Sequence, residues 1–119
     1  MEVRKARGLI ELVDLLRVDE SDSVVNAAAI ALRNLAIDPA NCEVLGSMAM
    51  KDLVAALPDA DESAGNRRRH SDETISSVLA ALNELINKNE TNAKILFQEG
   101  GVKKMKGIVQ SKGILYNSK

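Results

Sequence analysis

The chain is 119 residues long, and 45% of its residues are hydrophobic although only 2% are aromatic. Its core must therefore consist of Leu, Ile, Val, Met and Ala, which suits closely packed helices better than a β-sandwich or β-barrel. The net charge is −1, from 16 basic and 17 acidic residues, so we expect no nucleic-acid partner. A single cysteine excludes an internal disulfide, and no apolar run approaches membrane-spanning length. These features predict a soluble, cytoplasmic protein.

The first predicted element lies within residues 1–20 and is the last helix of a partial repeat. A helical block follows over 21–57. Its longest helix is predicted from Asp22 to Ile37, with Ser21 or Asp22 as the N-cap. One face of this helix is apolar at helical spacing and should be buried: Val24, Ala28, Ala31, Leu32 and Leu35.

The next helix is predicted to begin at Asp38-Pro39, and a separate short amphipathic helix runs from Met50 to Leu57 with Leu53 and Leu57 inward. Each repeat is thus predicted to contain three helices. In the second block the buried face is expected to hold Val78, Ala81, Leu82 and Leu85. The whole chain forms one domain divided into the segments 1–20, 21–57, an inserted loop 58–70, a second helical block 71–112 and a tail 113–119.

The two helical blocks repeat one another, since Ala28–Ala36 returns as Val78–Ile86. A further pair of matches gives offsets of 41 residues, from Gly8 to Ala49, and of 52 residues, from Ala49 to Gly101. The first offset falls within the period of about 40–47 residues that is typical of HEAT and armadillo repeats. The second exceeds it by about one loop, which is the polar insertion. The sequence therefore predicts a stack of helical repeats, an architecture that usually binds other proteins.

The outward-facing row of the long helices is the candidate peptide-binding surface. Equivalent outer positions line up along a groove when helical repeats stack, and an Asn amide can both donate to and accept from a peptide backbone. The row consists of Asn26, Ile30, Arg33 and Asn34 in the first copy and of Ala80 and Glu84 in the second. The alternative interpretation is a solvated helix surface, because the second copy does not keep the Asn pattern.

A second candidate site is the basic run Arg67, Arg68 and Arg69 in the inserted loop, which suits an anionic partner or a nuclear import signal. Acidic residues in the same loop favour a simple solvated loop instead. His70 lies in this polar loop without neighbours at ligand spacing, and Cys42 is the single cysteine. We therefore predict no catalytic site, no metal site and no cofactor.

Six segments of the chain together resemble a known family: Ala31-Leu32-Arg33-Asn34, Ala49-Met50-Lys51-Asp52-Leu53-Val54, Leu57-Pro58, Ser71-Asp72-Glu73-Thr74, Asn92-Ala93-Lys94 and Gly100-Gly101-Val102-Lys103-Lys104. They are similar to the armadillo repeats of the delta-catenin family, the cadherin-associated catenins whose relatives include the plakophilins. The resemblance extends from about Gly8 to Val109 and points to the C-terminal part of the repeat array. It implies an all-α armadillo-repeat α-solenoid, a right-handed superhelix of about two and a half repeats.

The resemblance also implies a function. Members of this family are non-catalytic scaffolds in cadherin-based cell–cell adhesion and junctional signalling, located in the cytoplasm at cell–cell junctions. The implied partners are a cadherin cytoplasmic tail, with its main site on N-terminal repeats that this chain lacks, and regulators of Rho-family signalling. Asn34 matches the groove-lining Asn of the armadillo motif, whereas Ile30 stands where many armadillo proteins carry Trp.

The sequence also allows two other functions. An importin-alpha-like adaptor would bind basic peptides through Trp–Asn pairs and acidic residues, which Ile30 and Ala80 do not supply. A regulatory helical domain of a larger enzyme is the third hypothesis, and nothing in the residues favours it.

We expect the isolated chain to be marginally stable or to oligomerise through exposed apolar ends, because a short stack of repeats lacks polar capping units. Thermal unfolding at several protein concentrations, with the mass in solution measured alongside, tests this expectation. A monomer with a high Tm that does not depend on concentration would contradict it.

Overall fold

A computed structural model of the chain describes residues 3–17, 21–58, 70–87 and 89–117. Within these ranges the chain forms six helices and no strand, which confirms the predicted all-helical class. The helices are α1 Val3–Arg17, α2 Asp22–Leu35, α3 Pro39–Ala56, α4 Asp72–Ile86, α5 Glu90–Gln98 and α6 Gly101–Asn117. The right-handed superhelix and the division into segments stay predictions. Helix α6 continues beyond the boundary predicted at residue 112.

Helices α2 and α4, which occupy equivalent places in the two copies, begin at equivalent serine caps. Ser21 has φ −64° and ψ 154°, and its hydroxyl accepts a hydrogen bond from the Val24 backbone N–H at 3.4 Å. Ser71 has φ −66° and ψ 164°, and its hydroxyl accepts from the Thr74 backbone N–H at 3.2 Å. Each cap satisfies an N–H group that has no partner within its helix. The repeat seen in the sequence is therefore also a repeat of local structure.

Helices α3 and α5 also begin where the sequence supplies a cap. The Asp38 carboxylate accepts from the Ala40 backbone N–H at 2.9 Å, and Pro39 occupies the first turn of α3. In the second copy, the Asn89 side chain accepts from the Asn92 backbone N–H at 2.9 Å at the start of α5. Both copies thus place a polar cap after the first helix, between α2 and α3 and between α4 and α5.

The prediction of three helices in each repeat is wrong for the first copy. The expected separate helix from Met50 is instead the second half of α3, which runs unbroken from Pro39 to Ala56. At 18 residues α3 is longer than α2, which has 14, so the prediction that α2 is the longest helix of the first block is also wrong. In the second copy the chain does break, because Gly100 adopts a left-handed φ of 77° and ends α5 before α6 begins. That conformation favours glycine, and the first copy has Met48 at the matching position.

The core is one continuous aliphatic cluster that joins all six helices. In the second copy the predicted inner face is fully buried at all four positions: Val78, Ala81, Leu82 and Leu85. Leu53 and Leu57 are also buried, as predicted. In α2 the prediction is partly wrong, because Val24, Ala31 and Leu35 are only half-buried, whereas Val25 and Ala29 are buried. Helix α2 packs against both α1 and α4, so its buried surface is wider than a single stripe.

Large apolar side chains are exposed on the first helix and on the last two. They are Ile10 and Leu15 on α1, Phe97 on α5, which is 72% exposed, and Val109 on α6, in addition to Ile30 on α2 and Ile37 just after it. These positions are where the predicted self-association of the isolated chain would bury apolar surface.

A buried amide connects three helices near the centre of the structure. Asn92 on α5 is 2% exposed, and its Nδ2 donates to the Leu85 carbonyl at 2.8 Å and to the Cys42 carbonyl at 3.2 Å. Its side chain lies directly against Gly46 of α3, so a Cβ at that glycine would overlap the amide. The packing of α3, α4 and α5 therefore depends on the absence of a side chain at residue 46.

We expect Gly46→Ala to lower the free energy of unfolding by about 1–3 kcal/mol, because the added methyl group displaces the Asn92 amide. Urea unfolding followed by circular dichroism measures the loss. Gly8→Ala on α1 is the matched control, since a Cβ there meets no atom within 4 Å. It should be neutral or stabilise the chain by up to about 1 kcal/mol. Equal effects of the two substitutions would show that Gly46 is not a packing constraint.

Candidate functional site

Helices α2 and α4 are tied together at their N-termini by a polar seam, which consists of Asp22, His70, Ser71 and Thr74. The Asp22 Oδ1 accepts from the Ser71 backbone N–H at 2.8 Å and lies 3.2 Å from Nδ1 of His70. The Thr74 hydroxyl donates to the Asp22 backbone carbonyl at 3.2 Å. These bonds join the first turns of the two helices, so α2 and α4 run parallel with their outer rows side by side.

The seam lowers the pKa of Asp22 below its usual value of 3.8. The largest cause is the hydrogen bond from the Ser71 backbone N–H, and the Ser71 hydroxyl adds to it. Smaller contributions come from Thr74 and His70, while partial burial acts in the opposite direction. The carboxylate therefore stays charged in the folded chain at neutral pH.

His70 differs from its predicted environment. The sequence places it at the end of a polar loop, but the structure buries the ring to 7% exposure beside Asp22. The physical reason is the Asp22 carboxylate, which gives the ring nitrogen a partner and allows burial without an unsatisfied polar atom. His70 thus belongs to the seam between the repeats.

The predicted row on α2 is only partly open to a ligand. Ile30 is 45% exposed, and Arg33 and Asn34 are also exposed on the same helix face. Asn26 is half-buried instead, and its Oδ1 accepts a hydrogen bond from the Ser77 hydroxyl of α4. The Asn26 amide therefore links the two helices, and a peptide would have to compete with Ser77 for its oxygen.

The second-copy positions Ala80 and Glu84 are half-buried on α4. They lie three and seven residues after Ser77 and so share its helix face. Because the bond between Ser77 and Asn26 joins this face to the α2 row, the structure brings the two predicted rows together. The combined surface carries one Arg and one Glu, so it is close to neutral and suits apolar and backbone contacts better than a strongly charged ligand.

The other candidate residues carry no site within the described part of the chain. Arg67, Arg68 and Arg69 lie outside the described residues, so their role stays a prediction. Burial raises the pKa of the Cys42 thiol, which donates to the Leu85 carbonyl at 3.3 Å and acts as a packed neutral group. Among the described residues, no cluster of three His, Cys, Asp or Glu side chains has the arrangement of a metal site. None of the described helices is long and apolar enough to cross a bilayer.

The sequence-based prediction contains neither the seam nor the Asn26–Ser77 bond. One signal in the sequence pointed to the seam, since Ser21-Asp22 recurs as Ser71-Asp72 at the start of each long helix. The partner of Asn26 left no such signal, because it depends on how α2 and α4 align in space.

Several known proteins are similar in sequence to this chain along almost its whole length. Over 118 residues the chain is 47% identical to Catenin delta-2 of Mus musculus, a match that covers 98% of this chain and 9% of that protein. It is 46% identical over 112 residues to Plakophilin-4 of Mus musculus, a match that covers 93% of this chain and 9% of that protein. It is 40% identical over 111 residues to the Juxtamembrane domain-associated catenin of Caenorhabditis elegans, a match that covers 92% of this chain and 8% of that protein.

The chain thus spans about a tenth of the length of the curated relatives it matches. No family model matches the chain, and no solved structure does. The relationship therefore rests on sequence identity over the whole chain together with the all-helical fold.

We expect Asp22→Asn to reduce the urea midpoint of unfolding at neutral pH and to have no effect in strong acid. Because the pKa of Asp22 is lowered in the folded chain, its carboxylate stabilises the fold fully above the usual value of 3.8. This stabilisation is lost as the pH falls through the lower, folded-state value. Urea titrations from about pH 7 to about pH 2 measure the difference. Glu43→Gln, at an exposed position on α3, is the control. A constant difference between wild type and Asp22→Asn across this range would contradict the role of the charge.

Proposed function

This chain belongs to the delta-catenin family of armadillo-repeat catenins, and on that basis we propose that it is part of a non-catalytic interaction scaffold. The scaffold acts in cadherin-based cell–cell adhesion and junctional signalling, and its helices form part of a right-handed armadillo α-solenoid. The observation that carries the proposal is 40–47% identity to catenins and a plakophilin over nearly the whole chain. No catalytic family is indicated by these relatives.

A cadherin cytoplasmic tail is the proposed partner. The name of the Caenorhabditis elegans relative states an association with a juxtamembrane domain, which supports a membrane receptor tail as the ligand class. The proposed location is the cytoplasmic side of cell–cell junctions, with Rho-family regulators as further partners. We place the main cadherin site on other repeats, so this chain alone should contribute a small part of the affinity.

The α2 row is the proposed contact surface within this chain. Ile30 offers an exposed aliphatic side chain, and the exposed Asn34 amide can pair with the backbone of an extended peptide. Arg33 on the same face adds one positive charge that favours an acidic segment. A handful of such contacts supports weak binding, because association first costs translational and rotational freedom.

The importin-alpha-like alternative is not favoured. Such a groove relies on Trp–Asn pairs, and the chain contains no Trp. Of the six predicted groove residues only Glu84 is acidic, and Arg33 repels the basic peptides that an importin binds.

We expect weak or no binding of a cadherin juxtamembrane peptide to this chain alone. Titration of the labelled chain with the peptide, followed by NMR, should give a Kd of about 10 μM or weaker, with shift changes concentrated around Ile30, Arg33 and Asn34. Asn34→Ala together with Ile30→Ala should weaken any binding, whereas Gln98→Ala, on an exposed amide of α5, should not.

Two results would count against this assignment. A submicromolar affinity would contradict the placement of the main cadherin site on other repeats. Binding whose shift changes lie away from α2, or that responds equally to the Gln98 control, would remove the α2 row from the proposed interface.

A further inference from the structure

The serine caps of α2 and α4 have the same geometry but different upstream sequences. Ser21 and Ser71 are both exposed, both are followed by Asp, and their backbone angles differ by no more than 10°. Ser71 is preceded by Arg67-Arg68-Arg69-His70, whereas Ser21 is preceded by Arg17-Val18-Asp19-Glu20. The chain therefore presents one serine after a strongly basic run and an equivalent serine after a partly acidic one.

We propose that Ser71 is a phosphorylation site for an arginine-directed Ser/Thr protein kinase, and that the phosphate loosens the seam between α2 and α4. Such a kinase binds its substrate in an acidic groove and selects guanidinium groups shortly before the acceptor. Three arginines stand four, three and two positions before Ser71.

Ser71 lies at an exposed helix end, and its hydroxyl becomes available to a kinase when the first turn of α4 opens. Ser71 is exposed, and its backbone is extended, which is the conformation a kinase groove requires. Asp72 and Glu73, the next two residues, are also exposed in the first turn of α4. Helix ends fray readily, so this turn can open to admit the kinase while the core below it stays packed.

The transfer itself is ordinary phosphoryl chemistry. The Ser71 Oγ attacks the γ-phosphorus of ATP and a new P–O bond forms. The bond from that phosphorus to the bridging oxygen breaks and ADP leaves, while the hydroxyl proton passes to the catalytic Asp of the kinase. The serine that loses its proton is the one that caps α4.

A phosphate at Ser71 conflicts with its surroundings. It adds a charge of about −1.5 to −2 next to the Asp22 carboxylate, whose Oδ1 lies 2.8 Å from the Ser71 backbone nitrogen. It also removes the hydroxyl proton that Ser71 donates to Thr74 Oγ1 at 3.2 Å. Asp72 and Glu73 bring two more negative charges to the same turn. The helix N-terminus and the three upstream arginines supply positive charge that opposes this repulsion, but neither replaces the hydrogen bond that Ser71 donates to Thr74.

The kinase arm of the test uses the full chain, radiolabelled ATP and a purified arginine-directed Ser/Thr kinase. We expect phosphate at Ser71 and none at Ser21 when the sites are mapped by mass spectrometry. Ser71→Ala should reduce incorporation at least about tenfold, and Ser21→Ala should leave it unchanged. Replacing the three arginines by alanine should match Ser71→Ala while keeping the cap, so the test holds even if Ser71→Ala folds poorly. Equal labelling of Ser21, or labelling that does not depend on the arginines, would overturn the proposal.

The stability arm compares the phosphorylated chain with the unmodified one. We expect the Tm to fall by about 4 °C on phosphorylation. The same treatment of Asp22→Asn should give less than about half that decrease, because one of the repelling charges has been removed. An unchanged or higher Tm after phosphorylation would overturn the proposed effect on the seam.

Discussion

The packing of the two helical blocks depends on one buried amide, that of Asn92. Its Nδ2 holds the Cys42 carbonyl of α3 and the Leu85 carbonyl of α4, and it fits only because residue 46 has no side chain. Aliphatic burial favours contact between helices without fixing their rotation or register. Hydrogen bonds are directional, and leaving a buried amide unpaired costs about 1–3 kcal/mol, so Asn92 favours the arrangement of these three helices in which both carbonyls meet its amide.

Polar contacts at helix ends also fix the alignment of neighbouring helices. At the N-termini of α2 and α4, the Asp22 carboxylate and the Ser71 cap fix the two long helices side by side. At the C-terminus of α3, the Lys104 ammonium of α6 donates to the Val54 carbonyl at 3.0 Å and to the Leu57 carbonyl at 3.2 Å. A cation is favourable there because the last carbonyls of a helix carry partial negative charge. Aliphatic packing thus supplies most of the cohesion, and the polar ends supply the alignment.

The sequence predicts the helical class and the inner face because both follow from periodicity. The face around Leu82 and Leu85 is buried as expected, since α4 has one dominant apolar stripe. The α2 prediction is off by one residue at Val24 because burial against two neighbours cannot be read from a single period. The seam and the bond between Asn26 and Ser77 could not be predicted, since they depend on which residues of different helices meet. Which residues bind a partner remains a prediction.

The repeats are alike inside and different outside, and this difference limits how the surface can bind. A peptide that paired with Asn26 would replace the internal bond from Ser77, so the exchange of one hydrogen bond for another adds little net stabilisation. Further along the row, Ile30 and Asn34 are exposed, but the second copy presents Ala80 and Glu84 in their place. A peptide crossing both copies therefore meets different chemistry at each step, not a uniform ladder for its backbone. A useful affinity therefore requires additional contacts between the same peptide and neighbouring repeats. Once one part of the peptide is bound, the rest of it is held at a high effective concentration near those repeats.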